Sequence, residues 1–232
     1  MAELFRDIDP ERVRANLAEA RERIAGACAR AGRNPAGVEL LAATKYVPVE
    51  EMGALAEAGI ELVGENTAQS LAEKRERWGE RFTFDFIGHV QSRKVRDILP
   101  LVRLIHSVES ESVLRRLERH TEQPVEVLLE VNVAGEESKS GLAPDRVDEF
   151  IEAVPAGSKV RFAGLMTMPP LVADPRDARP YFEALRTLAE RLRERWAPAH
   201  RLDMLSMGTS QDYEIAAEEG ATVLRLGTVL YA

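Results

Sequence analysis

Eight short apolar or β-branched runs recur along the chain, each but the last followed by a longer amphipathic stretch. This alternation limits the possible folds more than any other feature. The runs are VELLAAT at 38–44, IELV at 60–63, TFDFI at 83–87, VRLIH at 102–106, VEVLLEV at 125–131, VRFAGLM at 160–166, LDMLSM at 202–207 and TVLRL at 222–226. A repeated strand–helix unit predicts a parallel sheet with helices outside it. Eight units in 232 residues predict an α/β fold: a single-domain (β/α)8 TIM barrel spanning 1–232, with one extra helix in front. The alternative is an open doubly wound sheet, which normally carries a glycine-rich nucleotide loop after its first strand. Here that strand leads into Thr44-Lys45-Tyr46, with no glycine.

Helix punctuation supports the alternation. Asp9-Pro10 and Asp174-Pro175 each set an N-cap residue before a proline at the first helical position, and Ala143-Pro144-Asp145 opens another helix. Gly59 and Gly220 stand where helices should end, just before a strand. The first helix, expected over 9–31, carries Val13, Leu17, Ile24 and Cys28 on one face. That face buries the only cysteine, with no histidine partner nearby in sequence, so a packing role fits it better than a catalytic one.

In such barrels the active site collects at the carboxyl ends of the strands. The successive runs deliver there Lys45; Gly64-Glu65-Asn66; Gly88-His89; Ser107; Asn132; Met166 and Thr167; Ser206, Gly208, Thr209 and Ser210; and Arg225, Gly227 and Thr228. If Lys45 points into the mouth, burial lowers its pKa, and a neutral amine is a nucleophile that forms a Schiff base with an aldehyde. A head that snorkels to water is the plain alternative. The last two loops, SMGTSQDYE and RLGTVLYA, combine glycine with hydroxyl residues, which suits a phosphate held by backbone N–H groups and by Ser210 or Thr228. Thr209 and Ser210 are equally readable as caps of the following helix. Arg225 shares a strand face with Gly227 and stays charged; set against a pyridine nitrogen, it would keep that nitrogen unprotonated. Pairing with a carboxylate is its alternative reading. A lysine, a phosphate cradle and an arginine around one mouth describe a site for a phosphorylated aldehyde, and pyridoxal 5′-phosphate meets all three.

Composition narrows the class. A formal charge of −8 disfavours a broad grip on nucleic acid or anionic lipid. The beginning MAELFRDIDPERV has no apolar signal core, and no apolar run reaches membrane-spanning length, so a cytoplasmic protein without membrane partners is expected. Four scattered histidines and one cysteine give no metal-ligand spacing, so no metal site is expected. Met166, Met168, Met204 and Met207 are expected to fill the upper layers of the barrel. His106 reads as structural, and His89 as an acid/base or a rim histidine. Lys139 and the run Arg93, Lys94, Arg96 read as solvated charges or a second anion contact.

The chain resembles the pyridoxal phosphate homeostasis proteins, the YggS/PROSC type, which share the barrel of the alanine racemase N-terminal domain. The resemblance runs across nearly the whole chain, through AATKYVP (42–48), VGENTAQ (63–69), FIGHVQSRK (86–94), IHSVES (105–110), EVNVAGEESKSG (130–141), GLMTMPP (164–170) and LSMGTSQDYEIAAEEGATVLRLGT (205–228). It implies Lys45 as the Schiff-base lysine, Ser210, Gly227 and Thr228 around the phosphate, Arg225 at the pyridine nitrogen, and Asn66, Ser206 and Met207 lining the cofactor. The chain departs from the family pattern at Asp85, Arg93, Thr209 and Tyr231-Ala232. These departures are expected to alter the surface beside the mouth and partner contacts, and to leave the cofactor-bonding groups in place.

Three functions follow. One is a carrier or homeostasis protein for pyridoxal phosphate with no catalytic residues of its own. It would be a cytoplasmic monomer, handing cofactor to apoenzymes. The second is a pyridoxal phosphate-dependent racemase, which needs an acid/base on the opposite cofactor face and a further β-domain, with no room for one after Thr228. The third is a cofactor-free aldolase using Lys45 directly. The resemblance and a one-faced, open site favour the first.

Overall fold

The computed structural model describes residues 4–136, 139–155 and 157–232. Eight parallel strands close into a barrel in sequence order. They are β1 Glu39–Ala43, β2 Leu62–Glu65, β3 Thr83–Phe86, β4 Leu104–Val108, β5 Val125–Glu130, β6 Val160–Met166, β7 Met204–Ser206 and β8 Val223–Leu226. The helices are α1 Pro10–Arg30, α2 Met52–Glu57, α3 Ala68–Trp78, α4 Val95–Ile98, α5 Glu111–His120, α6 Val147–Glu152, α7 Arg179–Trp196, α8 Tyr213–Glu218 and α9 Thr228–Tyr231. The expected (β/α)8 barrel with a leading helix is the fold.

The first helix starts where its cap requires. Asp9 accepts a hydrogen bond from the Glu11 amide, and Pro10 occupies the first turn. Its inner face, Val13, Leu17, Ala20, Ile24, Ala27 and Cys28, is buried and packs against α8 and α9. Arg23 and Arg30 tie the same pair of helices together through Glu214 at 2.6 Å and Glu218 at 2.7 Å. Gly59 and Gly220 end helices with φ of +88° and +111°. Asp174 and Pro144 each open a 3₁₀ turn, Pro175–Ala178 and Pro144–Arg146, which then runs on into α7 or α6.

Two boundaries differ from the sequence expectation in ways that matter for the site. The fourth strand lies two residues later than VRLIH suggests, because Pro100 sits in a 3₁₀ turn, Leu99–Leu101, that precedes it. His106, the last residue of the VRLIH run, is therefore mid-strand, and Ser107 lies within the strand as well. The last strand is followed by a helix after all, the single turn α9, whose Leu230 and Tyr231 are buried.

Alternation along the strands separates two interiors. Phe84, Phe86, Ile105, Leu129, Leu205, Leu224 and Leu226 face outward into the large core beneath the helices. A smaller apolar cluster of Leu104, Leu128, Ala163 and Met166, with Met204 against it, is distinct from that core. Each large apolar side chain so buried stabilises the fold by roughly 1.5–3 kcal/mol. At the intervening strand positions lie the buried polar residues Asp85, His106, Ser206 and Arg225. Among the described residues, no helix is long and apolar enough to cross a membrane.

Candidate functional site

Closure of the barrel makes the site. β1 pairs with β8 through Leu41↔Arg225 and Ala42↔Leu226, and with β2 through Ala42↔Val63 and Ala43↔Gly64. A Cβ added to Gly227 would lie 3.7 Å from the Ala43 carbonyl oxygen. The segment carrying Lys45 and the turn carrying Gly227 and Thr228 thus leave the barrel side by side, although 182 positions (227 − 45) separate Lys45 from Gly227 in the chain.

Lys45 does not enter the barrel. β1 ends at Ala43, and the Val47 amide donates to the Thr44 carbonyl at 2.9 Å, so Lys45 stands on a turn. Its side chain is exposed, with Nζ 4.9 Å from the centre of the Tyr46 ring. The expected shielding of this amine is absent, because the strand stops before it. The buried lysine of this region is instead Lys74 on α3. Its Nζ donates to Glu65 Oε1 at 2.5 Å and to the Thr44 carbonyl at 2.7 Å. Glu65 is wholly buried and also accepts from the Thr44 hydroxyl at 2.5 Å. This ion pair clamps the residue before Lys45 from beneath. Glu65 is recognisable in the sequence from its place at the end of a strand, whereas the only signal for Lys74 is its place three residues after the buried Leu71 on one helix face.

Across the closure, the last two loops are stapled together. Ser210 Oγ accepts from the Gly227 amide at 3.1 Å and from the Val229 amide at 3.3 Å. It does not cap the following helix. Thr209 donates from its amide to Asp212 Oδ1 at 2.6 Å, closing the turn before α8. Gly208 adopts φ +94°, and a Cβ there would lie 2.5 Å from that of Ala216, so only glycine fits. Two amides thus converge on the Ser210 hydroxyl oxygen, whose own proton stays free to donate, beside Thr228, which is exposed at the start of α9.

Arg225 is 5% exposed. Among the described residues it forms no carboxylate ion pair, which sets aside the pairing alternative. Its Nη1 donates to Ser206 Oγ at 2.6 Å, and its Nη2 to the Thr167 carbonyl and to Met168 Sδ, each at 2.8 Å. Burial lowers its pKa to about 10, against the more distant charges of Asp212 and Glu130. A buried cation held only by neutral groups attracts an electron-rich partner at the mouth. Ser206 is fully buried and stands behind this guanidinium. Its other neighbour is His106 Nδ1 at 2.8 Å, and His106 Nε2 lies 3.1 Å from Asp85 Oδ2. Arg103 grips Asp85 at 3.0 and 2.7 Å and reaches Glu39 at 2.7 Å. Asp85, expected to change the outer surface, is instead wholly buried inside the barrel. Strand alternation puts Asp85 on the face opposite Phe84 and Phe86, and barrel closure makes that face the interior.

The remaining candidates fall on either side of this arc. Asn66 is exposed, and its backbone is pressed by Gly88, where a Cβ would lie 2.1 Å from the Asn66 oxygen. It opens onto a groove of about 580 Å³ bordered by Phe86, His89 and Lys94. Met207 is buried in the outer core, as its strand phase dictates, and Met168 is 47% exposed; neither fills an upper barrel layer. Met204 borders a groove with Glu39, Arg103 and Thr222, at the amino ends of the strands. Glu130, absent from the sequence candidates, ends β5, and burial with the nearby Glu109 carboxylate pushes its pKa up to about 7, against Arg225. His89 pairs with Glu109 at 2.8 Å on the rim. Lys139 is exposed beside Glu137 and Ser138, which lie outside the described residues. Arg93, Lys94 and Arg96 are exposed, with Gln91 or Asp97 as local partners.

The family model for the N-terminal domain of alanine racemase matches residues 8–232. The pyridoxal phosphate homeostasis protein of Aquifex aeolicus is 39% identical over 219 residues, covering 93% of this chain and 95% of that protein. A solved structure from Bifidobacterium adolescentis superposes with a TM-score of 0.87 at 34% identity, over 99% of this chain and 98% of the other. PipY of Synechococcus elongatus, solved with pyridoxal phosphate bound, gives 0.81 at 28% identity, over 95% of this chain and all of that one. A barrel closed so that its first and last strands share one mouth, matched from end to end by these relatives, places the chain in the pyridoxal phosphate homeostasis protein family.

Proposed function

We propose that the protein binds pyridoxal 5′-phosphate at this mouth and serves vitamin B6 homeostasis in the cytoplasm without turning over amino acids. The observation that carries this reading is the β1–β8 closure, which sets the Lys45 turn beside the Ser210–Gly227–Thr228 turn. The donor set fits the cofactor. The Ser210 hydroxyl proton, and the Gly227 and Val229 amides once a phosphate oxygen replaces Ser210 Oγ as their acceptor, suit a phosphate, and the neutral-ligated Arg225 suits an unprotonated ring nitrogen. When bound, the cofactor supplies an aldehyde carbon to which an amine adds. Lys45 is the exposed primary amine at this place, and its solvent access leaves a path for an incoming amine. Open access favours storage and release to apoenzymes over a water-excluded site for stereochemical inversion. Tyr213 and Tyr231 are buried, which takes two of the four tyrosines away from acid/base work at the mouth. PipY, with pyridoxal phosphate bound, and the name of the Aquifex relative support the same reading.

The test is a titration of the purified protein with pyridoxal phosphate, followed in the visible range and fixed with borohydride. The expected result is a new visible band and a cofactor-sized mass increase on the peptide carrying Lys45, with both lost in Lys45→Ala. A label on Lys74, or colour that survives in Lys45→Ala, would discard the assignment. Lys45-dependent racemisation of alanine would move the reading to an enzyme.

A further inference from the structure

Four side chains form an unbroken buried string through the barrel from Asp85 to Arg225, and with His106 neutral its hydrogen bonds run in one direction. Asp85 is held below the usual carboxylate range: burial opposes ionisation, but the hydrogen bonds from His106 and Arg103 outweigh it. An ionised carboxylate only accepts, so His106 Nε2 must carry the proton across the 3.1 Å contact. Burial, with Arg225 and Arg103 nearby, lowers the His106 pKa against the pull of Asp85, which favours the neutral ring. In the neutral ring with its proton on Nε2, Nδ1 has a lone pair and no proton. The Ser206 hydroxyl must donate to it over 2.8 Å, which turns the hydroxyl oxygen's lone pairs toward Arg225 Nη1 at 2.6 Å. At the far end Arg103 pins Asp85 with two hydrogen bonds and is itself tied to Glu39 at the start of β1.

We propose that Asp85, His106 and Ser206 are positioning residues for Arg225. They present it with a fixed acceptor, so that its guanidinium holds one pose at the mouth, anchored from the opposite end of the barrel. With Nη1 held by Ser206 and Nη2 by the Thr167 carbonyl, rotation of the guanidinium breaks two hydrogen bonds at once. The string resolves a functional ambiguity at Ser206. Its one proton goes to His106 and a lone pair to Arg225, and it is fully buried, so its part in the site is to hold Arg225 rather than to donate to a ligand. Asp85 gains a role of the same kind. As an acceptor-only group it sets the His106 tautomer, which a hydroxyl, able to donate or accept, would not fix. The functional consequence for the cofactor rests on the reading above, in which Arg225 faces the pyridine ring.

The experiment has a ligand-free arm and a ligand arm. In nitrogen-15 NMR of the unliganded protein, His106 is expected to be neutral with its proton on Nε2, and the Arg225 Nη–H signals to be resolved by hindered rotation. Those Arg225 signals should average together in His106→Leu and in Ser206→Ala. They should stay resolved in His106→Asn, whose carboxamide oxygen can replace Nδ1 as acceptor. A doubly protonated or Nδ1-protonated His106 in the wild type would overturn the proposal, even if the variants fail to fold. In the ligand arm, His106→Leu should weaken pyridoxal phosphate binding about tenfold, the scale of one charge-assisted hydrogen bond. It should cost nothing more in an Arg225→Gln background. Equal losses in both backgrounds would mean a merely structural histidine and overturn the proposal. Wild-type protein that takes up no pyridoxal phosphate would sink the cofactor reading, while the ligand-free arm still decides the string.

Discussion

Arg225 and Glu130 show how burial changes what a charged side chain does. Both lie within the barrel wall near the mouth, and each has one charged neighbour of the opposite sign in the other. For Glu130 the result is a measurable link between pH and stability. Its pKa rises from 4.5 to about 7 on folding, chiefly by burial and then by Glu109. A raised carboxyl binds its proton more tightly in the folded state, so the stabilisation is complete below 4.5 and is lost as pH climbs through 7. Urea denaturation should therefore find Glu130→Gln, a permanent mimic of the neutral form, equal to wild type at about pH 4, below the unfolded value. At pH 8 the variant should be more stable by about 1–3 kcal/mol. A difference that does not change with pH would show that Glu130 ionises freely in the folded protein. Lys45 illustrates the opposite outcome. Its sequence context, LLAAT running straight into the lysine, suggested a shielded amine, but two residues of turn put it in water.

At the scale of elements, the site depends on where strands stop. β7 is only Met204–Ser206, and the chain leaves it through Gly208, whose carbonyl accepts the Arg225 amide at 3.0 Å. That glycine combines φ +94° with contact against Ala216 and Leu224. Gly208→Ala should lose about 2–4 kcal/mol of unfolding free energy in urea, from backbone strain and overpacking together. A loss below 0.5 kcal/mol, within the scatter of a surface change, would show that the turn relaxes freely. Much of this level was legible in advance. Strand–helix alternation, the Asp9-Pro10 cap and the Gly59 and Gly220 stops are local signals, and local signals are written in adjacent residues. The shifted β4 was not legible, because VRLIH reads as a strand from its first residue. Only the 3₁₀ turn around Pro100 delays it, and that delay sets His106 in the middle of the strand rather than at its end.

At the scale of the whole molecule, apolar surface is sparse. Leu4, Tyr46, Met168 and Leu171 are the exposed large apolar side chains among the described residues, and Tyr46 and Met168 adjoin the site itself. With a formal charge of −8 and no broad apolar face, the protein should sediment as a single chain at micromolar concentration. A dimer whose mass persists on dilution would point to an interface centred on the mouth. The order of βα units, the helix caps and the residue types at the strand ends were determined by the sequence alone, because each depends on neighbours within a turn or a strand. Which lysine is buried, that Asp85 joins His106 and Ser206 behind Arg225, and that Glu130 holds its proton near neutrality were decided only by the tertiary structure. Those properties depend on residues brought together across the barrel from distant strands, and on the water that closure excludes.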